Sequence, residues 1–207
     1  MRRACFLVLV LSAATLAGRN EVVYSQRLSS PHDFFSASSG FNADNCSVCH
    51  AGGRKSGAGV RRDLLNAEEG TVFTPYSSST LDAQVGQPDG PSKLCLSCHD
   101  GTVARDNVGG IALSFSFSSD RANLGRDLSD DHPVSFVYDA DLAARDGGLV
   151  DPTTTQSGLG GTIYHDLLVD GKMECTSCHD VHSHLSSRGL LRKPNKLSSL
   201  CLTCHIK

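Results

Sequence analysis

The sequence predicts a mostly irregular chain, with short helices at four cysteine motifs and at most a small β-hairpin. Three observations lead there. Trp is absent and aromatics make up 6% of the 207 residues, a thin supply of large side chains for a core of this length. Gly occurs 20 times, which lets backbone lie close against a flat ligand. Nine Cys and nine His point to a core organised around something other than packed side chains.

The N-terminus comes first. Met1-Arg2-Arg3 precedes an apolar run from Phe6 to Leu11 and then Thr15-Leu16-Ala17. A basic start, a short apolar run and a small residue are the layout of a secretory signal peptide. Cleavage is expected after Ala17, with Ala14 as the rival site, giving a signal peptide over 1–17 and a single domain over 18–207. The apolar run is well short of the roughly 20 residues that a spanning helix needs. Cys5 would be lost with the leader. No later stretch is long and apolar enough to span a bilayer, so the mature chain is expected to carry no transmembrane segment and to lie outside the cytoplasm. The expected place is extracellular or at the cell surface, with the periplasm as the alternative. A net charge of −3 and a pI near 6.3 give no basic footprint for nucleic acid.

With Cys5 set aside, the eight remaining cysteines fall into four copies of one pattern. They are Cys46-Ser47-Val48-Cys49-His50, Cys95-Leu96-Ser97-Cys98-His99, Cys175-Thr176-Ser177-Cys178-His179 and Cys201-Leu202-Thr203-Cys204-His205. This C-x-x-C-H spacing is the c-type haem attachment motif. Two thiols on one turn reach the two vinyl groups of one porphyrin, and the following imidazole projects under the ring to the iron. The composition would yield about 0.02 such motifs by chance. Zinc is the competing reading, because Cys175/Cys178 and Cys201/Cys204 have nearly zinc-ribbon spacing. Tetrathiolate zinc gives no reason for a His after every pair, and neither do disulfides. Four covalent haems are the expected cofactors.

Each iron has two axial positions. His50, His99, His179 and His205 are the expected proximal ligands. The opposite positions need His, Met or nothing. Beyond the initiator, Met173 is the only methionine. Five histidines remain, His32, His132, His165, His182 and His184, for four positions. The count favours bis-His ligation with one histidine spare, and closed coordination suits electron transfer over substrate chemistry. His182 lies three residues after His179. On a helical turn the two leave the same face, so they do not clamp one iron; as a ligand, His182 serves a different haem packed close by. His184 is the alternative within that segment, and His165 and His184 compete for the last position.

Between the motifs, Ile111 to Phe117 alternates apolar and polar over most of its length, as does Val134 to Tyr138, and both read as strands. They are expected to pair as a small sheet, or 111–117 to form a wall against a haem. Asp139 is placed to cap a short helix over Ala140–Arg145, stopped by Gly147-Gly148. Gly52–Gly59 and Ser77–Gly90 read as loops.

These residues resemble the doubled-CXXCH multihaem cytochromes, and within them the extracellular tetrahaem cytochromes of the outer-membrane cytochrome E type. The matching stretches are Tyr76-Ser77-Ser78-Ser79-Thr80-Leu81-Asp82, Ser92 to Ala104 around the second motif, Asp131-His132-Pro133-Val134-Ser135-Phe136, Cys175 to His182, and the ending Leu200 to His205. His32-Asp33 also looks like the family's N-terminal segment. The resemblance implies closely stacked bis-His haems, little regular structure and long-range or extracellular electron transfer, in some members along filaments. It implies His32, His132 and His182 as distal ligands. One departure stands out: the family's second His shortly after the first motif is missing, because the chain reads His50-Ala51-Gly52-Gly53.

The expected function is therefore electron transfer rather than catalysis. Its partners would be redox proteins or extracellular electron acceptors, with a homopolymer joined through His32 as a further expectation. The alternatives are a multihaem reductase of a small oxyanion with one open haem, and a haem-bearing structural filament without a redox role.

Overall fold

A computed structural model describes residues 32, 49–50, 70–101, 107–108, 111–112, 123–182 and 189–206. The expected leader over 1–17, the loop over 52–59, Cys46 and His184 lie outside these residues. Regular structure is sparse. Helix α1 spans Gly90–His99, α2 Ala140–Asp146, α3 Ile163–Leu167 and α4 Cys175–Cys178. Short 3-10 turns cover Lys196–Ser198 and Cys201–Thr203. Short helices in a mostly irregular chain are the architecture that the composition predicts. Among the described residues no helix is long and apolar enough to cross a membrane.

The strands pair differently from expectation. Strand β1, Asn107–Val108, pairs antiparallel with β2, Ile111–Ala112, placing Val108 opposite Ile111. Strand β3, Phe136–Val137, pairs antiparallel with β4, Lys172–Met173. The partner of 134–138 is thus the segment leading into the third motif, not 111–117, of which 113–117 lies outside the described residues. The reason lies in packing. Phe136 and Met173 are register partners, and both belong to the main apolar cluster, with Tyr138, Leu142, Ala143, Ile163, Leu167 and Leu168. Alternation within one strand shows its buried face but not which strand lies beside it.

A side-chain core therefore exists, its main cluster drawn from 136–173, and it sits against the cysteine motifs: Cys204 packs on its edge. Tyr138 is 1% exposed and donates its hydroxyl to the Val150 carbonyl at 2.6 Å, so its one polar atom is satisfied. A second cluster, Phe73, Leu96 and Leu128, holds the inner face of α1. Helix α2 forms as its sequence predicts. The Asp139 side chain accepts from Leu142 N–H at 2.8 Å, the N-cap bond. Gly147 ends the helix at φ 68°, a left-handed position that costs glycine nothing.

Candidate cofactor-binding site

The motifs sit on different local structures. The second rides on the last turns of α1. Pro91 suits the helix start because its missing N–H would be unpaired there anyway. The third occupies α4 and its C-cap, His179. The fourth follows a 3-10 turn into His205. Of the first, Cys49 and His50 are described. Cys95, Cys175, Cys178, Cys201 and Cys204 are free thiols. Among the described residues no group of three or more His, Cys, Asp or Glu converges on a metal-sized site. Cys175, Cys178, Cys201 and Cys204 thus do not form the tetrahedral cluster that zinc requires.

The histidines are brought together in pairs. His50 and His182 have ring centroids 6.1 Å apart. His32 and His99 are 6.0 Å apart, and His132 and His205 are 6.3 Å apart. Each pair joins one motif histidine to one histidine from outside the motifs. A metal bound by two facing imidazoles, with metal–nitrogen bonds of about 2.0–2.1 Å, sets ring centres about 6.3 Å apart. The donor set and the spacing therefore fit an iron between each pair.

Hydrogen bonds at Nδ1 prepare one of the paired imidazoles, His132, and the third motif's His179. His132 Nδ1 donates to the Pro133 carbonyl at 2.9 Å, and His179 Nδ1 to the Gly189 carbonyl at 2.6 Å. A carbonyl only accepts, so the proton sits on Nδ1 and Nε2 is left with its lone pair for a metal. His182 is oriented from its backbone: its N–H donates to Asp180 Oδ1 at 2.8 Å. Burial, with His99 and His179 nearby, pushes His32 down to about 4, which keeps it in the neutral form that binds metal.

Two expectations change. His179 is extended at φ −107°, ψ 141° and α4 ends before it, so His179 and His182 do not share a helical face. His182 reaches the first motif because the chain turns away after the helix. His165 stands opposite no other described histidine. Its Nδ1 lies 2.7 Å from Asp166 Oδ1, and Asp166 also accepts from Gly161 N–H at 2.8 Å and from Ser157 Oγ. These bonds hold the Asp166 carboxyl down to about 2.

Sequence reasoning missed the polar joints between motifs. Glu174, 2% exposed, accepts from Ser92 N–H at 3.3 Å, from Ser92 Oγ and from Ser135 Oγ at 3.0 Å. Cys175 N–H donates to Ser92 Oγ at 3.0 Å. Together these tie the second motif's helix to the third motif. Ser135 is held at φ 60°, and its bond to Glu174 offsets that strain. Arg192 N–H donates to the Cys178 carbonyl at 2.9 Å, and Lys193 Nζ to Thr203 Oγ1 at 2.9 Å, so consecutive residues fasten the third motif to the fourth. Signals were weak: a Glu just before a Cys and a basic pair between motifs carry no spacing rule of their own.

The thiols feel this packing. Cys95 donates to Cys175, which raises Cys95 and lowers Cys175 to about 7. Burial raises Cys178 and pushes Cys204 up to about 11. As thioethers to haem, none of these sulfurs would titrate.

A comparison with known families matches residues 165–207 to the doubled CXXCH motif. No curated protein matches the chain. The match covers the third and fourth motifs, the pair that Arg192 and Lys193 fasten together. This part of the chain is a doubled CXXCH motif domain, the mark of a multihaem c-type cytochrome.

Proposed function

We propose that the chain is an exported tetrahaem electron carrier with bis-His irons, working in long-range or extracellular electron transfer. The observation that carries this is the set of three His–His pairs at 6.0–6.3 Å, each joining a motif histidine to a non-motif one. Two imidazoles close an iron to substrate and leave it free to cycle between oxidation states with little rearrangement. In this reading His182 serves the first haem, His32 the second and His132 the fourth. His165 faces no described motif histidine, which favours His184 for the third. The cysteines would fix each porphyrin edge covalently, and the Pro133 and Gly189 carbonyls would hold the His132 and His179 ring planes. The haems supply the redox chemistry.

The extracellular assignment rests on the leader-like N-terminus and on the resemblance to the outer-membrane cytochrome E type. His32 pairs with His99 within one chain here. The same contact made between neighbouring chains would give a head-to-tail polymer that does not close on itself.

Mass spectrometry of the denatured protein tests the stoichiometry, and the oxidised optical spectrum tests the ligation. Four haem increments with only low-spin bands are expected. A bare polypeptide mass, or one carrying zinc, would overturn the reading. A high-spin haem that binds nitrite would turn it towards the reductase.

A further inference from the structure

We propose that the third motif is the junction at which the other three haem-binding motifs meet, so that electrons pass to the fourth haem by way of the haem that the third motif carries. The inference rests on the four-haem reading above.

Three different parts of the third motif meet three different partners. Its first cysteine faces the second motif: Cys175 N–H donates to Ser92 Oγ at 3.0 Å, and helices α1 and α4 pack together. Its second cysteine faces the fourth motif. Arg192 grips the Cys178 carbonyl at 2.9 Å and the Thr176 carbonyl at 3.3 Å, while Lys193 reaches Thr203 at 2.9 Å. The segment just beyond it supplies the first motif, because His182, three residues after His179, has its ring 6.1 Å from that of His50. Three residues of extended chain span at most about 11 Å, so irons held by His179 and His182 would be close neighbours.

The surroundings of the thiols agree. Cys95 and Cys175 are in hydrogen-bond contact, and Cys178 lies within electrostatic reach of both Cys201 and Cys204. Cys49 also lies within reach of Cys95, so haems on the first and second motifs would be neighbours as well. The fourth motif has a different attachment. Its fastening among the described motifs runs through Arg192 and Lys193 to the third. The pattern is a triangle of the first three motifs with the fourth hung from one corner, and haems held there would follow it rather than form a row of four. An electron arriving at a haem on the first or second motif would reach the third in one step, and the fourth would serve as an entry or exit port.

Neighbouring haems repel each other's added electrons, so pairwise shifts in reduction potential report adjacency. The haem methyl resonances of the intact four-haem protein, followed by NMR through its partly reduced stages, resolve each haem separately. The third haem is expected to show a clear interaction with each of the other three. The fourth is expected to interact with the third much more strongly than with the first or second. His132→Met raises the potential of the fourth haem, and the third haem's apparent potential should then shift while those of the first and second stay near their wild-type values. If the fourth haem interacts most strongly with the first or second, or the third haem lacks an interaction with any one of the others, the junction is refuted. The wild-type measurement decides this even if the variant does not fold. Fewer than four haems by mass would instead overturn the reading on which it rests.

Discussion

Replacing His132 by Ala removes one imidazole from the pair at 6.3 Å and leaves the proximal His205 in place. A metal held by His205 sits about 3.2 Å from that ring's centre, given a metal–nitrogen bond of about 2.0–2.1 Å. The remaining 3 Å or so then lies between the metal and the vacated ring centre, enough for a single water with the Pro133 carbonyl as a neighbouring acceptor. The fourth haem should therefore become high-spin in the oxidised protein, which is one haem in four, or about a quarter of the haem absorbance. The other two pairs share no residue with this one, so their low-spin bands should persist. His132→Met restores a sixth ligand and should return the protein to a fully low-spin spectrum, with one potential raised. The assay is optical spectroscopy of the oxidised holoprotein with a redox titration. A His132→Ala protein that stays wholly low-spin, with all four potentials unchanged, would refute the ligand assignment and with it the ring-spacing argument.

Other perturbations read other parts of the structure. Asp139→Ala removes the cap of α2 and should lower stability by about 1 kcal/mol, seen as a reduced urea midpoint with unchanged haem spectra. Burial raises the Glu174 carboxyl above its ordinary value of 4.5. The folded state then binds more protons between 4.5 and that raised value, so stability is greatest below 4.5 and falls as pH rises through the window. Glu174→Gln should flatten that part of the urea midpoint's pH profile, and an unchanged profile would assign the slope elsewhere. Ser92→Ala removes the hydroxyl shared by Glu174 and Cys175 and should cost about 1–3 kcal/mol by leaving buried polar atoms unpaired. Sizing wild type and His32→Ala at micromolar concentration separates the monomer from the polymer: a polymer that His32→Ala dissolves places His32 between chains.

Much of the chemistry was legible in the sequence because c-type attachment demands a fixed local spacing. Four copies of five residues need no tertiary context to be recognised. Helix α2 was legible for the same reason, since Asp139 and Gly147 act within a turn of the helix they bound. The partner of 134–138 was not legible, because alternation reports a buried face and stays silent on what covers it. Phe136 found Met173, a residue that the sequence offered mainly as a lone axial candidate. The path of His182 was misjudged in its cause. A helical continuation past His179 would set both histidines on one face, whereas α4 stops at Cys178 and the chain leaves it extended. Glu174, Arg192 and Lys193 were invisible as joints because their partners lie in other motifs.

The angles between paired rings carry their own spectroscopic consequence. The His50/His182 planes are tilted by 35° and the His32/His99 planes by 47°, whereas His132 and His205 stand at 76°. Imidazole planes near parallel split the iron d orbitals and give a rhombic paramagnetic resonance signal. Planes near perpendicular leave two of those orbitals almost degenerate and push the leading line to low field. With the Pro133 carbonyl fixing the His132 ring, a haem held by the fourth motif would carry a low-field signal distinct from those of the other two pairs, a magnetic label written by the backbone around it.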